Sequence, residues 1–141
     1  MGPTPFKHVA IRLKPGTDLR MEIERLVRQH QIRAGWIVTC VGSLSKYCLR
    51  FANQKTGSVG EGHFEIVSLV GTLSTSGCHL HISISDQVGA TIGGHLLEGC
   101  LIFTTAELVI GSDQQFIFER EIDKETGWKE LRIVSGENKD K

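Results

Sequence analysis

Between His79 and Ser85 the chain reads H-L-H-I-S-I-S, a strict two-residue alternation of polar and apolar side chains. Successive side chains of a strand point to opposite faces, so His79, His81, Ser83 and Ser85 share one face while Leu80, Ile82 and Ile84 share the other. A helix cannot satisfy that pattern. The segment therefore demands a half-buried strand whose outer stripe carries two imidazoles. A third histidine, His95, follows Gly93-Gly94 after a turn.

The same two-residue period governs most of the chain. Val9, Ile11 and Leu13 mark a first strand over residues 7 to 14, broken by Pro15-Gly16. Trp36 to Val41 is a continuous apolar run, expected to be covered on both faces. Tyr47, Leu49 and Phe51 alternate into a polar, glycine-bearing loop expected over residues 53 to 62. Phe64, Ile66, Ser68 and Val70 lead to a Ser76-Gly77 turn and hence a hairpin into the histidine strand. A long strand follows over residues 100 to 110, and Gly111-Ser112-Asp113 is expected to turn it into Q-F-I-F-E-R-E-I. Leu131 to Val134 closes the set. Only Leu19, Ile23, Leu26 and Val27 recur at helical spacing, with Thr17 expected to cap the helix and Gly35 beyond its end.

About seven strands and one amphipathic helix make an α+β fold with a mainly antiparallel sheet. At 141 residues the chain fits one domain, expected over residues 1–135, with a charged, disordered tail at 136–141. One helix covers only part of so large a sheet, so oligomerisation is expected to cover the rest.

Charge excludes some functions. Sixteen basic and sixteen acidic residues give a formal charge of zero, which argues against strong direct binding to DNA or to an anionic membrane. No apolar run is long enough to span a bilayer, and the first residues lack the apolar core of a signal peptide. An intracellular protein, cytoplasmic or nuclear, is expected. Cys40, Cys48 and Cys100 sit in apolar runs without a C-x-x-C pair and read as free thiols.

Neutral imidazole is a good ligand for zinc and related ions. His79 and His81, joined by His95 from a neighbouring loop, would form a three-histidine set with an open position for water or a ligand. Gly93 and Gly94 would permit a close backbone approach before His95. A solvated His-x-His pair is the competing reading. Cys78 is excluded by alternation, and His8, His30 and His63 stand alone. Ser83 shares the histidine face. Glu107, inside an otherwise apolar strand, reads equally as a partner or general base for the site and as an ordinary sheet carboxylate. Asp86 reads as a turn residue.

Several segments, in this order, resemble the stand-alone form of the PPC (plant and prokaryote conserved) domain. They are R-L-K-P-G-T-D-L from Arg12, G-T-L-S from Gly71, H-L-H-I-S-I-S-D from His79, G-G-H-L-L-E-G-C from Gly93, T-A-E-L-V-I from Thr105 and F-E-R-E-I-D-K-E-T-G from Phe118. The resemblance implies a seven-stranded antiparallel sheet, assembly as a homotrimer, and a divalent metal, zinc, on His79, His81 and His95. Plant members carry the domain behind AT-hooks and bind DNA in the nucleus. The Arg-Gly-Arg core of that hook does not occur here. Two functions remain open: a metal-binding interaction or regulatory module, associated with DNA or chromatin through partners, and a small metal-dependent enzyme.

Overall fold

A computed structural model describes residues 6–136. It contains eight strands and one helix: β1 (Phe6–Leu13), α1 (Leu19–Gln29), β2 (Gly35–Arg50), β3 (Ser58–Leu73), β4 (His79–Ser85), β5 (Thr91–Leu96), β6 (Leu101–Asp113), β7 (Phe116–Ile122) and β8 (Lys129–Ser135). The α+β class and the antiparallel pairing are as expected. In place of one seven-stranded sheet, six strands form a sheet in the order β1-β6-β2-β3-β4-β5, and β7-β8 form a separate hairpin. The expected tail lies outside the described residues except Gly136, whose N–H bonds to the Gln115 carbonyl at 2.8 Å.

The sheet partly closes on itself. Leu49 and Arg50, at the end of β2, pair with Leu96 and His95 of β5, so β2, β3, β4 and β5 form a ring. Leu44, Leu49, Leu80, Ile82, Ile84 and Leu96 are buried within this core. Helix α1 adds Leu19, Ile23, Leu26 and Val27 to the same cluster. Each such side chain contributes about 1.5–3 kcal/mol on full burial.

The helix cap lies one residue later than expected. Asp18, rather than Thr17, is the N-cap: one carboxylate oxygen accepts from the Met21 N–H at 3.0 Å and the other from the Gly99 N–H at 2.7 Å. A carboxylate has the two acceptors needed to serve the helix and the β5–β6 turn together, which a single hydroxyl does less well.

Two strand boundaries and one register also differ. β3 begins at Ser58, inside the expected loop, because Val59, Gly60 and Glu61 pair with β2. β6 runs on to Asp113, paired with Phe6, and the chain turns at Gln114-Gln115 instead. Within β3 a register shift between Ile66 and Ser68 breaks the simple alternation, so Ile66 and Leu69 are both buried while Ser68 and Val70 face out.

The Trp36–Val41 run is covered on one face only. Val38 is 49% exposed and Val41 56% exposed. Its companions on β6 are the exposed Phe103 and Glu107. No helix among the described residues is long and apolar enough to cross a membrane.

All four cysteines are free, as expected of the three in apolar runs. Burial, assisted for Cys40 by the Glu107 carboxylate, pushes the Cys40 thiol up to about 11. Burial likewise raises Cys100 to about 11. Since the thiolate is the reactive species, both should resist iodoacetamide at pH 8 in the native protein and react once denatured. Rapid alkylation of native Cys100, followed by peptide mass spectrometry, would contradict this packing.

Candidate metal centre

The β3–β4 hairpin and the β4–β5 hairpin bring the histidines together. On β4 the burial alternates as the sequence requires, with Leu80, Ile82 and Ile84 inward and His79 and His81 exposed. The β4–β5 register places His95 directly opposite His81. His95 is thus a strand residue of β5 and not a loop residue, because pairing with β2 extends β5 to Leu96.

The three imidazoles offer one nitrogen each, all within 4.8 Å of one another. His79 Nε2 and His81 Nε2 are 3.1 Å apart. The His81 and His95 rings meet edge to face at 4.5 Å, and those of His79 and His95 stack at 5.6 Å. Zinc–nitrogen bonds of about 2.0–2.1 Å in a tetrahedral site set ligand nitrogens about 3.3 Å apart. The His79–His81 pair already meets that spacing, and the His95 nitrogen lies within 4.8 Å of both. The donor set therefore fits a borderline-soft divalent ion.

Burial, then the charge of His81 and of Arg120, holds His79 below the ordinary histidine range. Burial, then Arg50 and the neighbouring imidazoles, does the same to His95. A lowered value favours the neutral ring down to more acid pH. Neutral imidazole is the metal-binding form.

Gly93 and Gly94 both lie in β5. A Cβ on Gly94 would stand 2.7 Å from the Arg50 carbonyl, and one on Gly93 would stand 2.9 Å from the Ile82 carbonyl. Neither has a positive φ. Their contribution is close approach, letting β5 fit between β4 and the end of β2 just before His95.

The other expected site residues are not gathered in. Ser83 shares the histidine face, but its hydroxyl lies 2.8 Å from that of Ser68. Glu107 is on β6, opposite Arg12 of β1 and Val41 of β2, and does not line the histidine cavity. Val41 is nine residues up β2 from Arg50, about 30 Å of extended strand. Of its two readings, as a partner of the site and as a sheet carboxylate, the structure places Glu107 in the sheet between β1 and β2, away from the three histidines. Cys78, which alternation excluded, lines the cavity beside His79, donates to the Ser74 carbonyl at 3.8 Å and packs against the core. Asp86 is a turn residue, accepting from the Val88 and Ala90 N–H groups.

Four residues near the centre escaped sequence reasoning. Arg20 of α1 donates to the Leu96 carbonyl at 2.7 Å and to the Cys78 carbonyl at 2.9 Å, while Glu24 holds its Nε at 2.7 Å. Those two carbonyls belong to the residues next to His95 and His79. Arg50, Arg120 and Trp128 line a cavity of about 860 Å³ whose wall includes His79 and His95. No pattern in the sequence marks them, since their strands and turn meet the histidines only through tertiary pairing.

Residues 2–114 match the Plants and Prokaryotes Conserved (PCC) domain. The chain is 44% identical over 133 residues to the bifunctional protein GlmU of a Synechococcus strain, covering 94% of this chain and 21% of that protein. It thus spans about a fifth of the length of this curated relative. A hypothetical protein from Salmonella enterica superposes with a TM-score of 0.91 at 40% identity, covering 95% of this chain and 97% of that one. A metal-containing protein from Archaeoglobus fulgidus superposes with a TM-score of 0.75 at 25% identity, covering 94% and 99%.

Proposed function

The chain belongs to the Plants and Prokaryotes Conserved domain family, and on that premise we propose that it is a homotrimeric, zinc-binding interaction and regulatory module. His79, His81 and His95 would hold the ion. The observation that carries the metal reading is the convergence of three imidazole nitrogens within 4.8 Å across the paired strands β4 and β5. The metal-containing relative from Archaeoglobus supports it. The match to a fifth of a longer protein supports a module that also occurs joined to other domains. Exposed Val38, Val41 and Phe103 support assembly through the uncovered sheet face. Association with DNA or chromatin would run through partners, given the balanced charge, in an intracellular setting.

One observation favours a second reading as a small metal-dependent enzyme: the cavity beside the open side of the triad. An ion there would polarise a carbonyl or phosphoryl oxygen. Against catalysis, the carboxylates in the cavity wall are Glu98 and Glu130, and both are exposed. A buried general base is missing from that wall.

The test is light scattering coupled to gel filtration, with metal analysis, on protein purified without a histidine tag. A trimer with about one zinc per chain is expected. A monomer would refute the assembly, and metal-free protein that takes up no zinc would refute the site. A shift assay at low salt separates direct from partner-borne DNA association, because phosphate attraction is strongest there. Tight, salt-sensitive binding by the isolated protein would overturn the partner-borne reading.

A further inference from the structure

The cavity beside the histidines carries two arginines, Arg50 and Arg120, that make no ion pair among the described residues, although Glu98 and Glu130 also line its wall. Arg50 stands opposite His95 in the β2–β5 register, and His95 stands opposite His81 in the β4–β5 register. Directly opposed residues project from the same face. Arg50, His95 and His81 therefore form one row across three strands. On the other flank Thr72 stands opposite His79. Its hydroxyl accepts a 2.7 Å hydrogen bond from Arg120 Nη2, which fixes a second guanidinium beside the triad. Among the described residues Arg50 donates only to the Gln54 carbonyl, at 3.2 Å. Neither arginine has a carboxylate partner among the described residues.

Two guanidiniums in the wall of a cavity that also holds His79 and His95 suit an anion. A guanidinium binds oxyanions through paired N–H donors. A carboxylate offers two oxygens and one charge. The phosphate of a monoester offers three terminal oxygens and nearly two charges, one oxygen for each cation. The cavity, at about 860 Å³, is much larger than a phosphate and within the range of sites for molecules of drug size. Trp128, 69% exposed, lies in its wall and offers a flat apolar face.

We propose that this cavity binds a phosphate monoester carrying a flat ring, with the phosphate between Arg50 and Arg120 and the ring against Trp128. The phosphate also reaches the ion on the three histidines, so the proposal rests in that part on the metal reading above.

The test is calorimetric titration of zinc-loaded protein with phenyl phosphate, inorganic phosphate and benzoate, with zinc content measured for every variant. Phenyl phosphate should bind more tightly than either comparator. Arg50→Met and Arg120→Lys should each weaken it at least tenfold without changing zinc content. The lysine keeps a donor for Thr72, which guards against simple misfolding. Trp128→Ala should weaken phenyl phosphate but leave inorganic phosphate unchanged. No binding to zinc-loaded wild type, or unchanged binding in both arginine variants, overturns the proposal while leaving the metal site standing. Tighter binding of benzoate overturns the phosphate assignment. Arginine-dependent binding by a protein that takes up no zinc overturns the metal reading and upholds the anion site. Neither zinc nor phenyl phosphate binding overturns both.

Discussion

Replacing His95 with alanine is expected to lower zinc affinity at least a hundredfold, and His79→Ala should do the same. Each substitution removes one of three nitrogens and leaves a two-ligand site. Loss of even an outer partner that orients a ligand typically costs 10–100-fold, so loss of a ligand should cost at least the upper end of that range. The metal-free fold should hardly notice. His79 is exposed and His95 half-buried, and the core side of the strand, Leu80, Ile82 and Ile84, is untouched. Metal analysis after dialysis against a competing chelator reads the affinity, and a denaturation curve without metal reads the fold. Equal zinc content in wild type and both variants would remove the three-histidine centre. Zinc loss with the oligomer intact would instead show that the ion does not hold the assembly together.

The second large effect is expected from Arg20, which contacts no histidine. Its guanidinium joins helix α1 to the Leu96 and Cys78 carbonyls, beside His95 on β5 and His79 on β4. Arg20→Met leaves the aliphatic stem but strands both carbonyls and the Glu24 carboxylate. Hydrogen bonds from a charged donor contribute about 1.5–3 kcal/mol. The side chain is 21% exposed, so solvent replaces little of what is lost. Metal-free stability should fall by about 2–3 kcal/mol. Zinc affinity should also fall, because the two strands then hold their histidines less firmly in register. Arg20→Lys should recover part of both. If stability falls while zinc affinity is unchanged, Arg20 supports the fold without positioning the ligands.

Much of the candidate centre was legible because strand alternation is a local rule. His79 and His81 share a face whatever the rest of the chain does. Ile82 and Ile84 had to be buried for the same reason. Cys78 fell on the wrong side of that rule; in the structure it packs against the core and also lines the cavity wall, outside the three-histidine group. Glu107 was unreadable because its two readings differ only in which strands lie next to β6. The bulge after Ile66 was hidden because β3 shows the same residue types on either side of it.

Local pattern is enough to make the chain a mainly antiparallel α+β protein, to give α1 one buried face, and to project two imidazoles together from β4. Those properties depend on periodicities of two and 3.6 residues, which any short window displays. Tertiary structure alone decided that His95 stands opposite His81, that β2 closes on β5, and that Arg20, Arg50, Arg120 and Trp128 gather at the same place. These arrangements depend on register between strands distant in sequence. Register is fixed by core packing and by the close approach that Gly94 permits, and no local pattern carries that information.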